Sequence, residues 1–267
     1  MQTQSAFTPW WGDFSLDIGD TMHWHFGALE LSLQRLRSEW QVRSRTIAGL
    51  PEEGRQVSMN PEASPLSHYS RLERCICHSS SRHFRLLPVL ADRAVVTRPS
   101  TPVHLPRGEK VTLYVSSPLW IRAVVCATAE WSLEMPVIVP SDTWFGASTY
   151  DGELCYAART GARLYLDDIA PRAHRALTQV SIHNKGDDTL LLERLKLPVP
   201  FLSLYATENG VLWTESLSIV REQDMSTATL QIQRSPPDTV GAVMLISPAR
   251  VHMEKGIFVR ALNAMFG

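Results

Sequence analysis

The chain has 267 residues, 44% of them apolar and 20% charged, proportions of a globular protein that exclude disorder, collagen and coiled coil. That length suits one large domain or two small ones around a sizeable core. The 26 basic and 27 acidic residues nearly cancel, which argues against nucleic acid as a partner.

Residues 1–11 show neither the basic nor the apolar region of a secretory signal. The purest apolar stretches, such as Ala123 to Ala127 and Ala242 to Ile246, fall far short of the roughly 18 residues that a membrane helix needs. Cys75, Cys77, Cys126 and Cys155 are too few and too scattered for a disulfide framework. The expectation is a cytoplasmic protein of bacterial type, with reduced thiols and no membrane partner. Arginine outnumbers lysine 22 to 4. The arginines are spread along the chain among acids, so genomic base composition accounts for them better than an anion-binding patch does.

Helical periodicity is scarce, and most segments alternate with a period of two. Met22 to Phe26, Gly27, Leu29 to Leu33 and Glu39 to Arg45 read as a meander of two or three strands. Residues 49–67 are rich in Pro, Gly, Glu and Ser and read as a loop. Pro88 interrupts the apolar run His83 to Val96, which marks an edge strand or a break. Strands follow at Lys110 to Val115 and Leu119 to Ala127, and the proline-boxed stretch 128–142 is the candidate junction between subdomains. Asp151-Gly152 predicts a hairpin within Trp144 to Leu166. Asn184 to Asp188 predicts another between Val180 and Leu197, and Asn209-Gly210 marks a third tight turn. Many short strands with frequent turns predict an all-β fold, an antiparallel β-sandwich in two sandwich-like subdomains, 1–130 and 131–250.

The segment 251–267 is expected to be a C-terminal amphipathic helix. Ile257, Phe258, Ala261, Leu262, Met265 and Phe266 recur at spacings of three and four, opposite Gly256, Arg260 and Asn263. So short a helix is marginal alone and must dock. It would dock either on its own sheets, or on a protein partner or second subunit through Phe258, Leu262, Met265 and Phe266.

The order of several short motifs is familiar: Phe26-Gly27, Tyr69-x-Arg71, Pro102-Val103-x-Leu105-Pro106, Trp144-Phe145-Gly146, Gly152-x-Leu154-Cys155-Tyr156 and Val180-x-Ile182-x-Asn184. Over about residues 10–235 the chain resembles the domain-of-unknown-function family 432 (DUF432). The resemblance implies a β-rich cytosolic protein and carries no catalytic residues. The loop at 49–67 and the C-terminal stretch depart from the compact archaeal pattern.

Three constellations could carry chemistry. His23-x-His25 followed by Glu30 has the His-x-His-x4-Glu spacing of cupin metal sites, in which alternate histidines share one face of a strand. The second cupin motif is missing and the glycine spacing differs. The alternative is a strand with Trp24 and Phe26 inward and both histidines in solvent. Cys75-x-Cys77-His78, near His68 and His83, lacks a second thiolate pair for zinc and reads as packing. Trp10, Trp11, Trp144 and Phe145 fall at loop-like positions where a sugar could stack. Tyr156 and Arg159 flank the same hairpin as Trp144 and Phe145 and could present a polar cleft. No nucleophile elbow, phosphate loop, dinucleotide fingerprint or zinc-protease motif occurs.

The reading is therefore a non-enzymatic cytoplasmic β-sandwich protein that acts through protein binding and uses no cofactor. The alternatives are a cupin-like metal-dependent enzyme on His23, His25 and Glu30, and a carbohydrate-binding module on Trp144, Phe145, Tyr156 and Arg159.

Overall fold

The computed structural model describes residues 8–47, 58–60, 68–125, 131–146, 148, 150–223, 227–252, 257–261 and 266. Short strands dominate them. In chain order the first seven are β1 (Gly12–Ser15), β2 (Thr21–Phe26), β3 (Leu29–Leu36), β4 (Glu39–Thr46), β5 (Ser58–Asn60), β6 (Arg71–Ile76) and β7 (His83–Val89). Then come β8 (Val95–Pro99), β9 (Val103–Leu105), β10 (Lys110–Pro118), β11 (Trp120–Val125), β12 (Trp131–Pro136), β13 (Asp142–Gly146), β14 (Gly152–Ala162) and β15 (Arg175–Asn184). The last are β16 (Leu190–Leu192), β17 (Leu195–Leu197), β18 (Leu204–Thr207), β19 (Leu212–Thr214), β20 (Leu217–Arg221), β21 (Thr227–Ile232), β22 (Val243–Ser247) and β23 (Ile257–Ala261).

Two compact units share the chain. The first comprises Met1–Val89 with Leu119–Val139, and the second Leu90–Pro118 with Pro140–Gly267. The chain thus passes between units three times, the last time within the proline-boxed stretch.

The first unit holds two antiparallel sheets, ordered β1-β7-β11-β12 and β5-β2-β3-β4-β6. Strict alternation puts Trp24, Phe26, Leu29, Leu31, Leu33, Trp40 and Val42 on one face of the second sheet, each essentially buried. Gly27, at φ 60°, makes the tight β2–β3 turn. Rings from the two sheets meet at Phe84 on β7. Its centroid lies 5.5 Å from Phe14, 5.9 Å from Trp24 and 5.3 Å from Trp40. Trp10 packs edge-on against Phe26 at 4.6 Å and Trp11 at 5.3 Å, so both N-terminal tryptophans are core residues. Pro88 sits in β7 beyond the reach of β1, which pairs only as far as Leu86. The proline therefore costs no ladder bond on that side.

The second unit holds three sheets. One has the order β22-β18-β19-β15-β20-β21-β23 with β10 also on β15; the others are β13-β14-β8-β17 and β16-β9. Most pairings are antiparallel, but β8–β14, β15–β19 and β15–β20 are parallel. The hairpins at Asp151-Gly152 and Asn209-Gly210 form, as β13–β14 and β18–β19. The one expected around Asn184 to Asp188 does not: β15 pairs with β10 and β20, β16 with β9, and β17 with β8. Asn184 explains the departure. Its buried amide donates to Leu105 O and Asp188 O and accepts from Gly186 N, which turns the chain toward β9 instead of back along β15.

The C-terminal helix is also corrected. Residues 257–261 form strand β23, paired antiparallel with β21 from Gln231↔Ile257 to Thr227↔Ala261. Ile257, Phe258 and Val259 are β-branched or aromatic and suit a ladder, and the unpaired side of β21 provides one. Pairing consumes the edge that a docked helix would have covered.

Arg175 is buried at the start of β15 and donates to Ser116 Oγ and O, Ala158 O and Thr160 Oγ1, tying β10, β14 and β15 together. Beside it, His174 is fully buried and neither ring nitrogen has a hydrogen-bond partner. Burial, reinforced by the Arg175 and Arg172 cations, holds its imidazole down to about 4 from the usual 6.5.

Two predictions follow from packing and burial. Phe84→Ala should cost about 3–5 kcal/mol, the usual range for a buried ring, read by urea denaturation followed through tryptophan fluorescence. The folded state with neutral His174 binds fewer protons than the unfolded chain, so His174 makes stability fall as pH drops from about 6.5 to about 4. The loss should approach about 3 kcal/mol. The difference between wild type and His174→Leu across that window isolates the effect, because the opposing burial-raised Glu215 is common to both proteins.

Candidate functional site

The alternate residues of β2, β3 and β4 build a second, polar face. His23 lies opposite Ser32 and Arg43, His25 opposite Glu30 and Arg45, and Thr21 opposite Gln34 and Gln41. This face does not lie open to solvent. His23 is 3% exposed, Ser32 1%, Arg43 6% and Glu30 8%. Glu30 is the hub of an ion-pair cluster. Its carboxylate lies 2.9 Å from Arg45 Nη2, 3.1 Å from His68 Nε2 and 3.6 Å from His25 Nδ1.

The structure thus brings His25 and Glu30 together but keeps His23 apart. His23 Nδ1 bonds the Tyr69 hydroxyl at 2.8 Å instead. Burial, with smaller contributions from His25 and Arg43, lowers the His23 pKa and keeps the ring neutral. Arg45 and His68 share one oxygen of Glu30 while His25 faces the other, and the Arg45 cation beside the carboxylate repels a metal there. Among the described residues no group of three His, Cys, Asp or Glu side chains could hold a metal ion. Cys75 is buried opposite Trp40, and Cys155 is buried as well. His68 and Tyr69, which follow the long loop, join this face through contacts remote in sequence that no local pattern marks.

The other predicted residues lie in the second unit. Trp144 and Leu154 are cross-strand partners on the outer face of the β13–β14 hairpin, 42% and 45% exposed, and Tyr150 at its tip is 95% exposed. Phe145 and Cys155 point the other way and pack with Val96. Arg194 and Lys196 lie over the Phe145 ring at 5.1 and 5.6 Å. Tyr156 is buried beneath Arg93, 5.2 Å from the ring centre. Arg159 is exposed and takes φ 58°, a left-handed conformation within β14 that coincides with the register shift between Ala157 and Gly161. These four residues therefore do not line one cleft; Trp144 alone offers an open aromatic face.

The Trp144 ring is held in place. Its indole N–H donates to Ser148 O at 2.8 Å. The ring lies against Gly152, where a Cβ would fall 2.7 Å from the indole and from Phe145 O. Only glycine admits this approach.

Of the C-terminal residues proposed for partner binding, Phe258 lies in β23, and Leu262 and Met265 are outside the described residues. Phe266 is buried and bridges to Leu195. A polar groove of about 810 Å³ elsewhere in this unit is lined by Ser203, Ser216, Gln231, Gln233, Arg234 and His252, among others. Next to it Glu215, raised by burial, accepts from Ser203 N at 2.6 Å.

These features define a β protein with a buried polar sheet face and an exposed aromatic hairpin. The chain belongs to the family described as Protein of unknown function (DUF432), which it matches over residues 10–266. The C-terminal stretch is therefore within the family pattern, not an addition to it. No curated protein and no solved structure matches the chain.

Metal analysis of the purified protein should find zinc, iron and manganese well below one equivalent, because the Arg45–Glu30–His68 cluster already satisfies the carboxylate. Near-stoichiometric metal that disappears in His25→Ala would reverse this assignment.

Proposed function

We propose that this is a non-enzymatic, cytoplasmic protein that acts by binding another protein, with the outer face of the β13–β14 hairpin as its contact surface. The observation that carries this reading is the Trp144–Leu154 pair. A large ring stands in solvent yet is fixed by its own hydrogen bond and by Gly152, next to the exposed Tyr150. Exposed aromatics held in one rotamer are favoured anchors in protein interfaces, because little side-chain entropy is lost on binding. The ring contacts between the two sheets of the first unit support a β-sandwich there. The ion pairs around Glu30 support a structural rather than a metal-binding role for that carboxylate.

A photo-crosslinking residue in place of Tyr150, in cells that make the protein, should yield one discrete protein adduct. Trp144→Asp should abolish it while leaving the circular dichroism spectrum and melting temperature unchanged, since the ring is outside the core. An adduct that persists in Trp144→Asp would remove the hairpin from consideration. Absence of any protein adduct, together with Trp144-dependent binding on a glycan array, would favour the carbohydrate-binding alternative.

A further inference from the structure

We propose that His23, Ser32 and Arg43 form an enclosed site for a small oxyanion, either inorganic or the carboxylate end of an organic acid. The three residues occupy one register row on adjacent strands, His23 opposite Ser32 and Ser32 opposite Arg43. With strands about 4.8 Å apart, the whole row spans about 10 Å, within reach of the long arginine side chain. Each is more than nine-tenths buried, and each has a buried polar atom with no partner: His23 Nε2, Ser32 Oγ and Arg43 Nη1. Buried polar groups are almost always satisfied, and an orphan points to a bound water or ion. Trp24 and Trp40 also have orphan indole N–H groups, but these stand on the apolar face beside aromatic rings. Only on the polar face do three orphans fall in one row.

Their chemistry selects the ligand. Arg43 Nη2 donates to the side-chain oxygens of Gln34 and Gln41, and Arg43 makes no ion pair among the described residues. The nearby acids are already engaged, Glu30 by Arg45 and His68, and Glu39 by Arg74 at 2.6 Å. Glu39 and Tyr69 act on the Arg43 charge from a distance, but neither makes a direct ion pair with it among the described residues, so a buried guanidinium is left with only neutral amide acceptors in contact. Arg43 Nη1 offers N–H donors, and Ser32 offers a hydroxyl that can donate. The His23 tautomer that accepts the Tyr69 hydroxyl at Nδ1 carries its proton on Nε2. Donors thus predominate over fixed acceptors, and the net charge is positive. A water would satisfy some of the donors but not the charge; an oxyanion satisfies both.

The test is calorimetric titration and thermal denaturation of the full chain with millimolar phosphate and, separately, acetate, against sodium chloride at matched ionic strength. Saturable one-to-one binding with a raised melting temperature is expected for at least one of the two. Phosphate alone assigns an inorganic oxyanion, acetate alone a carboxylate, and either supports the site. Arg43→Gln should weaken binding about ten- to hundredfold, as for loss of a charged hydrogen bond. Ser32→Ala removes a hydroxyl with no partner in the protein, so it should fold normally and weaken binding about fivefold. Ser32→Ala keeps the question decidable if Arg43→Gln does not fold. Failure of both anions to bind beyond the chloride control, or unchanged affinity in Ser32→Ala, would overturn the proposal.

Discussion

The sheet formed by β2, β3 and β4 buries its apolar face and also the middle of its polar one. The apolar face follows the ordinary logic of a core: tryptophan, phenylalanine and leucine side chains meet the rings of Phe14 and Phe84 from the facing sheet. The other face carries His23, Glu30, Ser32 and Arg43 out of water, at a desolvation cost that partners must offset. Every arrangement on that face answers the same constraint. Glu30 collects Arg45 and His68, Glu39 collects Arg74 and Gln41, and Tyr69 caps His23. Arg43 is the exception: among the described residues it has no direct ion pair and is held by the side-chain oxygens of Gln34 and Gln41, with Glu39 acting from further off.

The two units solve their polar burial differently. In the second, Arg175 is as deeply buried as Arg43, but it spends its donors on carbonyl and hydroxyl oxygens of β10 and β14, so the guanidinium acts as a clamp between strands. Asn184 does the same on a smaller scale, binding backbone of two segments and redirecting the chain. The parallel pairings of β15 with β19 and β20 are reached through intervening strands instead of a helical crossover.

Much of the strand framework was legible because alternation is a strong local signal. The β2–β3–β4 meander and the hairpins at Asp151-Gly152 and Asn209-Gly210 follow from period and turn residues alone. What was not legible depended on partners distant in sequence. Alternation says which residues share a face, but not whether that face is covered, so His23 could not be placed in the interior. The Asn184 turn residues predicted a reversal, but the bonds to Leu105 and Asp188 decide where the following strand goes. Ile257 and Phe258 fit a helical spacing of apolar residues equally well, until the free edge of β21 selects a strand. At Trp144 the sequence showed an aromatic near a turn; the exposed, fixed ring arises from Gly152 opposite Gly146 and from a bond to Ser148, both set by hairpin register.

The interleaved path of the chain bears on how it emerges from the ribosome. β7 lies between β1 and β11 in its sheet, but residues 90–118 belong to the other unit and are made in between. At about 5–20 residues per second, that stretch takes roughly 1.5–6 s to synthesise. For that time the nascent β7 presents a bare edge that includes Leu86, Leu87 and Val89, with β11 not yet translated. An unpaired strand of this kind is a template for pairing with other chains. The order of the strands along the chain thus sets how long that edge stays without its own partner.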